Sequence, residues 1–313
     1  MRVVVQNDKS RPFQVFRARS PHARARGLVA VLAAAALASA CAPGASEVRG
    51  SHGQQPLQAP PARALDSYAS ELRAAHAARV AAARRWGLEE VPLPAPPAPA
   101  TKPEITAREG FEVDGQEDLP PVFTTVPTQE KVVFLTIDDG AEKDPAFLRM
   151  TSELRIPYTV FLTDEEIKDD YGYFRAMQAR GITLNNHTLS HPYLPGLSYK
   201  EQKREICGMQ DVIEEQYGKR PTLFRPPFGN YNRDTLRAAK ACGIEYAPIW
   251  SEEVFVDHWE YREWDQELHP GDIVLTHFRG RGDWGGTMTD MVRRFLDKVT
   301  AEGYAVARLE DYL

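Results

Sequence analysis

The sequence predicts an α/β fold, with a (β/α) barrel of about seven units in its C-terminal part. From Lys131 onward, short apolar runs typical of strands alternate with stretches typical of helices. Such alternation favours parallel strands joined by crossover helices. Side chains with catalytic chemistry follow several of the runs, at the end where the active site of a barrel lies. The length available, roughly 180 residues, is somewhat small for a complete eight-fold barrel.

Seven runs are strand candidates, and helices fit between most of them. The strand candidates are Val132–Leu135, Tyr158–Leu162, Ile182–Leu184, Thr222–Phe224, Tyr246–Ile249, Ile273–Leu275 and Tyr304–Ala307. The clearest helical stretches are Tyr199–Tyr217 and Arg233–Ala241. Asp138 and Asp139 follow the first strand, His187 the third, Arg225 the fourth and His277 the sixth.

The chain begins with a segment that resembles a bacterial lipoprotein signal. Residues 1–40 have a basic start followed by Gly27–Ala40, an apolar stretch too short to span a bilayer comfortably. Cys41 follows directly and would become the lipidated N-terminus. Ala38–Ala40 would also serve as an ordinary cleavage site, which makes free secretion an alternative. A retained membrane helix is the third alternative. We expect an exported protein, at the outer face of the cell membrane or secreted.

Residues 41–121 are expected to form a stalk that precedes a catalytic domain over residues 122–313. The segment Ala62–Trp86 is rich in Ala and Arg and lacks Gly and Pro, so it should be helical. This helix could dock on the domain or extend the stalk, and the second alternative is favoured. Pro92–Pro103 has the composition of a stiff polyproline spacer.

Charge and cysteine content limit the partners. The net charge is −6, and removal of residues 1–40 would take away seven basic residues and one acidic residue. The more acidic remainder argues against a nucleic-acid partner, and a monomer is expected. In an oxidising compartment Cys207 and Cys242 could form a disulfide, and two buried free thiols are the alternative.

Two histidines and two aspartates predict a metal site. His187 and His191 are four residues apart, which on a helical turn places both rings on one face. Together with Asp139 they form a set of two histidines and one carboxylate, which leaves coordination positions open. Asp138 would stay unbound as a base, because a divalent metal lowers the pKa of water enough for a neighbouring carboxylate to take its proton. A histidine pair of this spacing is, on its own, more often structural.

Two further segments complete the candidate site. His277 ends a strand opposite the base and is positioned to protonate a leaving group. Arg225 can hold a carboxylate in its charged form by bidentate pairing. Pro227 and Gly229 constrain the loop, so that an N–H such as that of Phe228 can point at an oxyanion. The alternative for this loop is an ordinary turn.

The combined pattern resembles the polysaccharide deacetylase family, with its NodB homology domain (carbohydrate esterase family 4). The matching motifs are Thr136–Gly140, His187–His191, Arg225–Gly229 and Leu275–His277. The resemblance implies a distorted (β/α) barrel and one divalent metal, usually Zn²⁺, with Co²⁺ or another divalent ion as alternatives. It implies these roles: Asp138 as base, Asp139, His187 and His191 as metal ligands, Arg225 as the residue that steadies the base, and His277 as acid.

The family's fourth motif is only approximated here. Asp257 is chosen as the residue that orients His277, with Glu253 as the competitor. Trp259 and Trp284 could stack on a sugar ring in the substrate site together with Pro227 and Phe228, and core packing is the alternative for the two tryptophans.

The sequence therefore favours a surface-anchored, metal-dependent deacetylase. Its expected substrate is an N-acetylated polysaccharide, foremost the amino sugars of peptidoglycan or a related glycan. An O-acetyl polysaccharide esterase is the alternative enzyme, because both reactions need the same ligands. A non-catalytic carbohydrate-binding barrel is a third possibility.

Overall fold

The central strand of the main sheet is built from an uninterrupted apolar run that ends in two aspartates. This strand, β2 (Val132–Asp139), is buried along its whole length, as expected for a parallel strand covered on both faces. The structure is a computed structural model that describes residues 62–313, with side chains from residue 66. The predicted signal segment and the predicted lipidation site Cys41 lie outside the described residues.

The strands and helices alternate in the described part of the chain. The strands are β1 (Val122–Phe123), β2 (Val132–Asp139), β3 (Thr159–Leu162), β4 (Leu184–Asn186), β5 (Ala247–Pro248), β6 (Glu252–Val254), β7 (Trp259–Tyr261), β8 (Ile273–His277) and β9 (Ala305–Val306). The α-helices are α1 (Ala62–Trp86), α2 (Pro145–Leu154), α3 (Asp164–Ile167), α4 (Tyr171–Gln178), α5 (Tyr199–Tyr217), α6 (Arg233–Ala241), α7 (Arg281–Trp284) and α8 (Met288–Ala301). In this part of the chain, no helix has the length and apolar character needed to cross a membrane.

The sheet forms a distorted (β/α) barrel. The main sheet has the order β4-β3-β2-β8-β6-β7, and β9 pairs with the beginning of β2. All these pairings are parallel except that of β6 with β7. Isolated bridges continue the order from Asn186 to Phe224 and from Leu223 to Tyr246, and the adjacent β5 pairs with β1. The predicted fold class is therefore confirmed.

Local signals set the ends of the helices. Helix α5 begins after Ser198, whose side chain forms a capping box with Glu201, and it ends at Gly218, which has a φ of 80°. Helix α6 begins after Asn232, which also forms a capping box. Both helices have the predicted bounds.

The sequence was less informative about the short strands. The predicted strand Thr222–Phe224 contributes only isolated bridges. Strands β6 and β7 were not predicted; in β6, Glu252 and Glu253 gave the segment the appearance of a charged loop. Both glutamates are buried in the structure.

The expectation that α1 extends a stalk is wrong for its last turns. The helix has the predicted bounds, but Ala82 and Ala83 are buried in the main hydrophobic core. Trp86 donates a hydrogen bond from Nε1 to Glu153 Oε2 over 2.7 Å. Further on, Val113 is also buried. The compact unit that contains β2 includes Ser70–Leu313, so packing against the barrel begins well before the predicted boundary at residue 122.

A disulfide joins α5 to the end of α6. Cys207 lies within α5 and Cys242 caps α6, with their Cα atoms 5.1 Å apart. Of the two alternatives left open by the sequence, the structure has the disulfide rather than two free thiols.

We predict that the double variant Cys207→Ala/Cys242→Ala is less stable than the parent chain by about 3–4 kcal/mol, because the cross-link restricts the unfolded chain. Urea unfolding of both proteins measures the difference. A reductant should lower the midpoint of the parent chain and leave the double variant unchanged. Equal midpoints for the two oxidised proteins would contradict the prediction.

Candidate active site

The candidate site lies at the carboxyl ends of the central strands. In the parallel register, Asp138 of β2 is the partner of His277 of β8 and of Phe161 of β3. The chain then turns sharply, since Asp139 has a φ of 74° and Gly140 a φ of 104°. A Cβ atom at Gly140 would lie 2.5 Å from Ile167 Cγ2, so this position accepts only glycine without rearrangement. This turn brings both aspartates into the site.

Asp139, His187 and His191 surround one point. Asp139 Oδ1 lies 3.7 Å from His187 Nε2 and 3.6 Å from His191 Nε2, and the two Nε2 atoms are 3.2 Å apart. The predicted helical turn between the histidines is wrong: they lie on a loop after β4, and Thr188 and His191 have φ values of 76° and 51°. The loop nevertheless directs both rings to the same point, as predicted.

Neighbouring groups hold these three side chains in the states that a divalent metal requires. His187 Nδ1 lies 2.7 Å from the carbonyl oxygen of Arg225, to which it donates, so Nε2 is left as the acceptor. Burial lowers the pKa of His187 and of His191, which keeps both imidazoles neutral. Burial would raise the pKa of Asp139, but the positive charges of His277 and Arg279 outweigh it and lower the pKa. Two neutral imidazoles and an ionised carboxylate fit a divalent metal with open positions.

Arg279 is a site residue that the sequence analysis missed. Its Nη2 donates to Asp139 Oδ2 over 2.6 Å, while Asp139 Oδ1 faces the histidines. The guanidinium therefore holds the oxygen that points away from the histidines. The only signal in the sequence was its place two residues after His277, which is not enough to identify a contact with β2.

Asp138 is paired with a fully buried arginine. Arg225 Nη1 donates to Asp138 Oδ1 over 2.8 Å and to Thr136 Oγ1 over 2.9 Å. The predicted bidentate pairing is wrong, because only one guanidinium nitrogen contacts the carboxylate. The guanidinium also lies over the Phe161 ring, 4.3 Å from its centroid.

The surroundings of Asp138 place its titration close to neutral pH. Burial raises the pKa of Asp138 to about 6, although the charges of Arg225 and His277 lower it. Asp138 Oδ2 lies 3.5 Å from His187 Nε2, beside the point surrounded by the metal ligands. A carboxylate in this position can accept a proton from a water molecule near neutral pH.

His277 is oriented by Glu253 and not by Asp257. Glu253 Oε1 lies 3.2 Å from His277 Nδ1. The pairing of β6 with β8 explains this contact, because Glu253 is in register with Leu275, two residues before His277 on the same face. The Asp257 side chain is 78% exposed and pairs with His258. The choice of Asp257 is therefore corrected to its competitor, Glu253.

The predicted substrate-binding aromatics separate into two groups. Phe228 is about half exposed, and its ring centroid lies 4.5 Å from that of His191. Its neighbour Pro227 is buried in the same short turn. Trp259 stacks on Phe295 of α8, and Trp284 also packs against the main hydrophobic core. These contacts favour core packing for the two tryptophans and leave Phe228 beside the site.

The contact between Glu253 and His277 predicts a change in titration. Burial lowers the pKa of His277, but Glu253, Asp139 and Asp138 outweigh it and the pKa is raised. In Glu253→Gln the imidazolium loses its carboxylate partner, so the pKa of His277 should fall. NMR titration of the histidine rings in metal-free protein measures this, with His277→Gln for assignment. Asp257→Asn is the matched control and should leave the pKa of His277 unchanged. A lower pKa of His277 in Asp257→Asn, together with an unchanged pKa in Glu253→Gln, would contradict the assignment of Glu253 as the orienting residue.

Comparison with known proteins agrees with this geometry. A family model described as polysaccharide deacetylase matches residues 125–247. An uncharacterised protein of Streptomyces coelicolor is 40% identical over 69% of this chain and 86% of its own length. The peptidoglycan-N-acetylmuramic acid deacetylase PdaC of Bacillus subtilis is 30% identical over 61% of this chain, which spans 41% of that protein. The structure of a family 4 carbohydrate esterase from Bacillus anthracis is 26% identical, with a TM-score of 0.51 over 61% of this chain and 86% of its own. The chain belongs to the polysaccharide deacetylase family, carbohydrate esterase family 4.

Proposed function

We propose that this chain is a metal-dependent N-deacetylase that acts on the amino sugars of peptidoglycan. One observation carries the proposal: Asp139, His187 and His191 surround a single point that is flanked by a carboxylate outside this set, Asp138, and by a histidine, His277. These are the groups that amide hydrolysis with one divalent ion requires. Zn²⁺ is the proposed ion, because two imidazoles and one carboxylate are a common set for catalytic zinc.

The residues of the chain have separate tasks in this reaction. Asp139, His187 and His191 would hold the ion, which when bound would polarise the acetyl carbonyl and lower the pKa of water. Asp138 accepts the proton of the attacking water. Arg225 keeps the Asp138 carboxylate in place through the 2.8 Å contact.

His277 completes the reaction by protonating the leaving nitrogen of the sugar. Its contact with Glu253 favours the protonated ring, as an acid needs. The constrained turn that contains Phe228 would supply a backbone N–H to the oxyanion, and the half-exposed Phe228 ring would contact the sugar.

Two observations support peptidoglycan as the substrate and export as the context. Relatives named as peptidoglycan deacetylases include proteins described as acting on N-acetylmuramic acid and on N-acetylglucosamine. The disulfide between Cys207 and Cys242 is typical of an oxidising compartment outside the cytoplasm. We propose that the protein works as a monomer outside the cell membrane, held there by a lipid on Cys41.

We expect Asp138→Asn to lower deacetylation by about 10²- to 10⁴-fold, because the base is lost, while the variant still binds one equivalent of Zn²⁺ at the active site. His187→Ala should lose both this zinc and the activity. Free amines and acetate released from N-acetylated peptidoglycan, with and without a chelator, measure the reaction, and zinc bound after gel filtration is measured separately. Asp257→Asn is the matched control and should keep full activity.

The products distinguish the alternatives. Acetate without new amines would contradict N-deacetylation and indicate ester substrates. Unchanged amine release in Asp138→Asn would contradict the role of this carboxylate. Zinc bound at Asp139, His187 and His191, with no release from either amide or ester substrates, would indicate a carbohydrate-binding barrel.

A further inference from the structure

A second group of potential metal ligands lies at the opposite ends of the same strands. Glu252 is the first residue of β6, and Asp272 directly precedes β8. His269 lies in the loop before Asp272. Each of these three residues offers one ligand atom, and the three atoms lie within 4.8 Å of one another. The group is distinct from the active site, which lies at the carboxyl ends of these strands.

Glu252 is the residue that requires an explanation. Its side chain is 1% exposed, and neither carboxylate oxygen accepts a hydrogen bond from a donor group of the described residues; its side chain instead contacts Asp272, a second buried carboxyl group. A buried carboxylate without a partner is strongly unfavourable, and buried polar groups in folded proteins almost always have one. The neighbouring Asp272 is buried as well and adds a second negative charge, which Arg262 offsets only in part.

The other two side chains are already oriented as metal ligands. His269 Nδ1 lies 3.4 Å from Asp272 Oδ2, and its Nε2 lies 3.3 Å from Asp265 Oδ2. A histidine that binds a metal through one nitrogen commonly donates its other N–H to a carboxylate, and Asp265 occupies that position. Asp272 is fixed by the Thr125 hydroxyl over 3.0 Å and by the backbone N–H of His269 over 2.6 Å. Each carboxylate oxygen retains a lone pair after accepting one hydrogen bond.

We propose that Glu252, His269 and Asp272 bind a second divalent cation. Two carboxylates and one imidazole suit Zn²⁺ or Mn²⁺, because the nitrogen ligand disfavours Ca²⁺ and Mg²⁺. The charge of the ion balances the two carboxylates. A groove of about 540 Å³ is lined by His269 and Asp272, and the His269 side chain is 42% exposed, which gives an ion access to these two side chains from solvent.

The cation would tie together parts of the chain that support the active site. It would join the beginning of β6 to the beginning of β8 and to the loop that carries His269. The residue after Glu252 is Glu253, which contacts His277. The second site would therefore stabilise the strand that positions the orienting carboxylate, without contacting the reacting groups.

Metal counting in a chain without the active-site ligands tests the proposal. The full chain with His187→Ala/His191→Ala is stripped with a chelator, reloaded with Zn²⁺ or with Mn²⁺, and analysed for bound metal after gel filtration. One equivalent of at least one of these metals should remain bound, and the metal should raise the melting temperature. Adding Glu252→Gln or Asp272→Asn should abolish both effects. Glu260→Gln, on the neighbouring strand, is the matched control and should change neither.

The outcomes separate this proposal from that of the active site. Two equivalents in the unsubstituted chain and one after either Glu252→Gln or His187→Ala/His191→Ala would support both sites. One equivalent that survives loss of the two histidines but not Glu252→Gln would support the second site alone. Absence of bound metal in the histidine double variant would overturn the second site, and so would unchanged metal binding in Glu252→Gln. In either case, a proton shared by Glu252 and Asp272 would explain why the two buried carboxyl groups lie side by side. Anomalous scattering from crystals loaded with whichever of the two metals binds provides a measurement independent of variant folding, and a peak at the three side chains is expected.

Discussion

The pairing of β2 with β3 on one side and β8 on the other determines which side chains can meet in this protein. Because both neighbours run parallel to β2, all three strands end at the same edge of the sheet. Asp138 then lies opposite His277, and the loop after β4 brings His187 within reach of both aspartates. The tight turn at Asp139 and Gly140 prevents the strand from continuing past this edge. A change in register by one residue would direct Asp138 to the other face of the sheet and separate these groups.

At this edge of the sheet, the charged side chains of the site are buried as pairs of opposite charge. Arg225 has no exposed surface, and it compensates the charge of Asp138 through a hydrogen bond while its planar face contacts Phe161. Asp139 is compensated by Arg279 on one oxygen, which leaves the other oxygen facing two neutral imidazoles. The result is a site where a divalent ion would meet ligands already in the required protonation states. The same principle, applied to the buried pair Glu252 and Asp272, supports the proposed second cation site.

Much of this arrangement could be predicted from the sequence, and the failures have physical reasons. The helices at Tyr199–Tyr217 and Arg233–Ala241 could be bounded because their caps are local signals. The ligand set could be predicted because the motifs follow strands. Glu253 and Arg279 could not be assigned, since their contacts depend on the pairing of β6 with β8 and of β8 with β2. The residues around a glutamate can be the same on a short strand and on a loop, so the local sequence does not distinguish the two. Docking of α1 through Ala82 and Ala83 was the less favoured alternative, because two small side chains make no recognisable apolar stripe.

Arg225 contributes to the site through its side chain and through its backbone, and these two contacts are chemically independent. Its side chain holds Asp138, whereas its backbone carbonyl oxygen fixes the ring of His187. Every amino acid at this position supplies a carbonyl, but only arginine supplies the guanidinium. A single substitution at Arg225 would therefore remove the contact with Asp138 and still leave a backbone carbonyl oxygen for the ring of His187.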